Sequence, residues 1–173
     1  MHSLIEVVDY DPLWPEAFER AREELAVAWV ANVGAIHHIG STSIVGMYAK
    51  PVIDMLAVAD NLLALDQQAD QMERLGYQVM GEFGIAGRRY FRRDDATGKR
   101  THQVHAFAKG SPHIQRHLVF RDYLRVYAAV AEEYGALKRA LAAAHPHDME
   151  AYMDGKDGFI KEVERRALEW ANS

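Results

Sequence analysis

The sequence predicts an α+β fold, a small mixed sheet flanked by helices with a helical carboxyl-terminal third, and three observations lead to it. Apolar residues at helical spacing open the chain from Trp14 to Trp29. Short strand-like runs then gather between Ala35 and Phe107, interrupted by one helical pattern. From Ser111 onward the apolar residues recur only at helical spacing.

Taken in order, Ile5–Val8 has the composition of a short edge strand. Asp11-Pro-Leu-Trp-Pro-Glu16 combines a capping side chain with prolines that fit only a first helical turn. Trp14, Phe18, Ala21, Leu25 and Trp29 share one face of the helix that follows, which Gly34 is expected to end. Ala35–Ile39 reads as a strand running into the turn Gly40-Ser41-Thr42-Ser43. Pro51–Val58 is apolar except for Asp54, the pattern of a central strand. Asp60-Asn61 caps a helix whose buried face is Leu62, Leu65, Ala69, Met72 and Leu75, closed by Gly76. A short strand at Tyr77–Met80 and a glycine-rich loop, Gly81–Gly87, lead into a hairpin. Its strands are Arg88–Arg93 and Thr101–Phe107, joined by Asp94–Lys99. Ile114, Leu118, Leu124, Tyr127, Val130 and Tyr134 mark helix, with a break expected at Gly135. Phe159, Ile160, Val163, Ala167 and Trp170 form the stripe of a last helix.

At 173 residues, one domain spanning 1–173 is expected, since a chain of this length buries roughly 70% of its unfolded surface. With 49% apolar and 26% charged residues it has the composition of an ordinary globular protein. No apolar run reaches the ~18 residues of a membrane span, and the amino terminus lacks a signal-peptide pattern, so a cytoplasmic protein is expected. The absence of cysteine excludes disulfides, thiolate metal sites and a cysteine nucleophile. A net charge of −5 argues against a general nucleic-acid coat. Arg88, Arg89, Arg92, Arg93, Lys99 and Arg100 nevertheless form a basic island. It reads either as a solvated hairpin or as a clamp for a small anion.

The chemistry centres on residues 38–56. Gly40-Ser41-Thr42-Ser43 offers three hydroxyls and backbone N–H groups able to cradle a phosphate. Asp54 follows on a strand, placed to bring a metal to whatever the turn holds. Alternation along that strand gives Asp54 and Leu56 one face, where a two-metal site wants a second carboxylate. On the hairpin, His102 and His105 fall on opposite faces, so they are not a metal pair. His105 shares the polar face, where it serves either a site or a buried hydrogen bond. His113 and His117, four apart on one helix face, have a spacing open to metal but no Glu between them, and read as structural or surface residues; Arg121-Asp122 is either an ion pair of the fold or a ligand contact.

Five collinear blocks, HIGSTSIVGMYAKPVIDMLAV (38–58), GIAGRRYF (84–91), RTHQVHAF (100–107), HLVFRDYLR (117–125) and the Tyr152–Phe159 pattern, resemble the GrpB family. That family is similar to the domain appended to some bacterial dephospho-CoA kinases and lies in the nucleotidyltransferase superfamily. The resemblance implies a minimal nucleotidyltransferase fold, with Gly40 and Ser41 as phosphate turn and Asp54 as first ligand of Mg²⁺ or Mn²⁺. The second acid of the superfamily's Dx[DE] pair falls on Leu56, and a later acidic position presents His105. The implied catalytic set is Asp54, His105 and Lys50, with Asp54 and His105 on metal. Phosphate is held by Gly40, Ser41, Thr42, Ser43, Arg88, Arg89, Tyr90 and Arg121. The expected partner is a nucleotide or other phosphorylated small molecule, not a membrane or a nucleic acid, and a homodimer is compatible. Two functions follow: nucleotidyl transfer, or binding of a nucleotide or CoA-like ligand without turnover.

Overall fold

The computed structural model describes residues 4–173. Its centre is a five-stranded mixed sheet of β1 (Val33–Ile39), β2 (Ile53–Ala59), β3 (Gln78–Val79), β4 (Arg88–Asp94) and β5 (Arg100–Ala108), in the order β1-β2-β5-β4-β3. Only the β2–β5 pair is parallel, which makes β2 a central strand, as its apolar run implies. The helices are α1 (Trp14–Ala28), α2 (Leu62–Gln67), α3 (Ala69–Arg74), α4 (Pro112–Val126), α5 (Ala128–Ala144) and α6 (Met149–Ala171).

One face of the sheet carries the main core. Ile53, Met55, Ala57 and Ala59 of β2 pack there with Val104 and Ala106 of β5 against Trp14, Phe18, Leu25 and Trp29. Leu65 and Met72 complete it from α2 and α3. The opposite face holds a smaller apolar cluster of Ile39, Leu56 and Phe107, covered by Ile114 and Leu118 of α4. A third cluster docks the helical third: Ile44 and Met47, just after the Gly40 turn, meet Tyr123, Tyr134 and Val163. The turn is therefore anchored on its carboxyl-terminal side by the last three helices.

Four expectations need correction. Ile5–Val8 does not join the sheet: Val8 makes one antiparallel bridge to Ala49, and Ile5 N–H donates to the Pro146 carbonyl. The first helix stops at Ala28, because the chain reverses through Ala31 at φ 72°, and Gly34 lies inside β1. Leu62–Leu75 is two short helices separated at Gln68. Gly135 breaks nothing; it lies buried within α5, where an added Cβ would stand 3.3 Å from the Tyr48 ring. A close crossing, rather than a helix end, requires that glycine, and the break falls at Tyr127.

Candidate active site

Gly40 sets the geometry of the site. Its φ of 73° and ψ of −174° lie in a region essentially open to glycine alone. A Cβ there would stand 2.8 Å from Asp54 Oδ2. Backbone conformation and the approach of the carboxylate thus demand glycine independently. The β1–β2 register, Ile39 opposite Asp54, brings the two together.

The next three residues form one tight turn whose hydroxyls divide between structure and cleft. Ser43 Oγ donates to the Gly40 carbonyl at 2.5 Å. Thr42 Oγ1 donates to the Val52 carbonyl (3.3 Å) and lies 2.8 Å from His38 Nε2. With its one hydroxyl proton committed, Thr42 accepts from His38, which is buried, stacked on Phe18 and held neutral at a pKa of about 4, chiefly by burial. Ser41 faces the cleft, where its Oγ accepts from Lys138 Nζ at 2.5 Å.

Asp54 has one close partner, His105, whose Nε2 lies 3.5 Å from Oδ1. The other ring nitrogen, Nδ1, is 3.3 Å from an Arg88 guanidinium nitrogen. A guanidinium only donates, so Nδ1 accepts and the ring proton sits on Nε2, facing Asp54. In that tautomer His105 offers no lone pair to a metal beside Asp54. Leu56, at the position where a second acid would stand, is fully buried with Ile39 and Phe107. Among the described residues no group of three or more His, Asp or Glu side chains is arranged to hold a metal. The two-metal set of the superfamily does not fit these residues; the chain supplies one carboxylate.

The remaining expected residues separate by face. Arg88 is buried, donates to the Glu82 and Phe83 carbonyls and lies over the Tyr90 ring, so it braces the Gly81–Gly87 loop instead of meeting a ligand. Arg89 points to the other side of the sheet and pairs with Asp66 at 2.8 Å. Arg121 donates to the His38 carbonyl and pairs with Asp122, tying α4 to β1. Gly40, Ser41, Thr42, Lys50, Asp54 and Tyr90 come together around a cleft of ≈ 560 Å³ between the sheet and the last two helices, while Ser43 turns away.

Among the cations of this cleft, sequence reasoning missed two, Lys138 of α5 and Lys156 of α6. Lys138 is only 2% exposed, with Nζ 4.4 Å from the Tyr134 ring centroid. Burial, aided by the nearby Lys156 and Lys50 charges, pushes its pKa down to about 7. Lys156 is lowered to about 8 by burial and then by Lys50, against the pull of Asp54. Lys50, also lowered by burial, lies with Lys156 against the ring of Tyr152, at 5.1 and 4.9 Å from its centroid. None of the three lysines pairs with a carboxylate among the described residues. Tyr152, fully buried in the same wall, has a hydroxyl without a hydrogen-bond partner. The legible signal was phase: Lys138 follows Ala131, Tyr134 and Gly135 on the buried stripe of α5.

A larger cavity of ≈ 700 Å³ lies behind the turn, sharing Thr42 with the cleft. Its wall is mostly apolar, and its one arginine, Arg125, donates to the Ser43 carbonyl. The smaller cleft holds Asp54, the Ser41 hydroxyl and three lysines that pair with no carboxylate among the described residues.

Known proteins share this architecture. The chain is 47% identical over 166 residues to the UPF0157 protein YqkA of Bacillus subtilis, covering 96% of this chain but 48% of that protein. It is 29% identical to a dephospho-CoA kinase of Mycolicibacterium paratuberculosis, over 98% of this chain and 47% of the kinase. The chain thus spans about half the length of these two relatives. The crystal structure of conserved protein GrpB from Enterococcus faecalis superposes with a TM-score of 0.93 at 43% identity, covering 97% of this chain and all of that one. Cid1 in complex with its short product ApU superposes at 0.52 with 13% identity over 76% of this chain and 42% of Cid1. That likeness shows the nucleotidyltransferase-like fold. Residues 4–166 match the sequence profile described as GrpB protein, and the chain belongs to the GrpB family.

Proposed function

We propose that this protein binds a nucleotide or another phosphorylated small molecule in the cleft between the Gly40 turn and the last two helices. One observation carries the reading: Lys50, Arg92, Arg100, Lys138 and Lys156 line the cleft against a single acid, Asp54, in a chain of net charge −5. Arg100 is neutralised by Asp94 at 2.6 Å, whereas the lysines have no such partner. Buried, uncompensated ammonium groups are costly and attract an anionic ligand. The Ser41 hydroxyl, held by Lys138, lies on the wall of the same cleft. The relatives named dephospho-CoA kinase put CoA-like phosphorylated molecules among the ligands to try.

The placement of Asp54 favours a second reading, nucleotidyl transfer with Mg²⁺ or Mn²⁺ on that carboxylate. In it His105, donating from Nε2, positions Asp54, and Lys50 and Lys138 neutralise the phosphates. A thermal-shift panel of nucleoside triphosphates and CoA precursors, with and without each metal, separates the readings on wild type and Asp54→Asn. Stabilisation that survives in Asp54→Asn supports binding. Stabilisation that needs both metal and Asp54, together with pyrophosphate release, supports transfer. A panel with no shift in either protein would remove the site.

A further inference from the structure

Resting on that reading, we infer that Lys50, Lys138 and Lys156 together replace divalent ions in this cleft, so that it takes the phosphates of a free polyphosphate chain without metal. The superfamily arrangement needs paired acids to hold ions that in turn neutralise phosphate. Here Leu56 is walled in by Ile39 and Phe107, and the His105 ring turns a proton, not a lone pair, toward Asp54. The positive charge is supplied instead by the protein. Three lysines from three separate segments converge: Lys50 precedes β2, Lys138 is on α5 and Lys156 on α6. Lys50 and Lys156 lie against one aromatic ring, and Lys138 reaches the Ser41 hydroxyl of the turn.

Their number selects the ligand class. Three ammonium groups and Arg92, none paired with a carboxylate among the described residues, face the single carboxylate of Asp54, a surplus of positive charge that the charge of about −2 on a phosphate monoester balances only in part. A di- or triphosphate chain carries the charge and the length to meet all three. The depressed pKa values agree: among the described residues no carboxylate pairs with any of the three lysines, and a polyphosphate would raise them together on binding.

Isothermal titration calorimetry with sodium tripolyphosphate tests this, in EDTA and in excess Mg²⁺. The expected result is binding in EDTA at least as tight as in excess Mg²⁺, where the metal occupies phosphate oxygens that the lysines would otherwise meet. Lys50→Gln and Lys156→Gln should each weaken binding about tenfold or more, as loss of a charge-assisted contact implies. Lys156→Arg should retain most of it. Asp54→Asn should bind as tightly as wild type or tighter, because it removes the one repelling charge. Binding that requires Mg²⁺, or that falls in Asp54→Asn, would overturn the inference while leaving the nucleotide site in place. Failure of tripolyphosphate in both buffers would overturn it too, and the nucleotide panel above reports separately whether that site survives.

Discussion

Lys138 illustrates how one side chain can serve binding at the expense of the fold. It is almost wholly buried, has a hydroxyl rather than a carboxylate for company, and has a pKa near 7 against an ordinary 10.5. Between those two values the unfolded chain holds a proton that the folded chain has released, so the lysine's burden on stability eases as pH rises. Below pH 7 both states are protonated and the full cost of the buried charge is present. Lys138→Met should therefore be more stable than wild type by about 1–4 kcal/mol at pH 6, and the gap should close as pH climbs from about 7 through 10.5. Urea denaturation at several pH values measures it; a gap that is constant with pH would show that the charge is not the cause. The stabilised variant should have lost affinity for polyphosphate, the usual exchange at a functional site.

Gly135 makes the corresponding point for the helices. It places α5 against Tyr48, a few residues beyond the Gly40 turn, and so sets how near Lys138 comes to Ser41. Gly135→Leu adds a side chain where even a Cβ is tight. It should destabilise the protein by about 1–3 kcal/mol through overpacking and weaken ligand binding without touching a ligand. Wild-type melting and affinity in Gly135→Leu would place the constraint elsewhere. That glycine reads in sequence as a helix break, and only the crossing shows why it is there. The helical stripes, the hairpin and the parity of Asp54 and Leu56 were legible because they depend on near neighbours along the chain. Parity also separates Arg88 from Arg89, though composition alone groups them. The meeting of Lys50, Lys138 and Lys156 was not legible, since no local pattern records which helix faces dock on which turn.

Three histidines tie the architecture to pH. His38 lies between α1 and the turn, His102 beside Tyr77 and Arg93, and His117 between α4 and the sheet. Burial above all, reinforced by nearby arginines, lowers them to about 4, 4 and 3. Each is neutral in the fold and protonated in the unfolded chain below 6.5, so stability is full above that value and is lost as pH falls toward 4. The slope should reach about 4 kcal/mol per pH unit at most, the value for three protons. Denaturation midpoints from pH 7 to pH 4 check this, and a flat profile would mean that the histidines open to solvent before the fold does. Among the described residues no helix is long and apolar enough to cross a membrane.

The bond between Lys138 and Ser41 joins residues 97 positions apart. Contacts of such separation bear the entropy of closing the intervening chain, and they form slowly. The turn and Asp54 can be assembled with the sheet, but the cleft exists only after the helical third has arrived. A ligand held there bridges the sheet and the helical third. Its affinity is thus also a measure of docking: by mass action it draws the population toward molecules whose helices are seated.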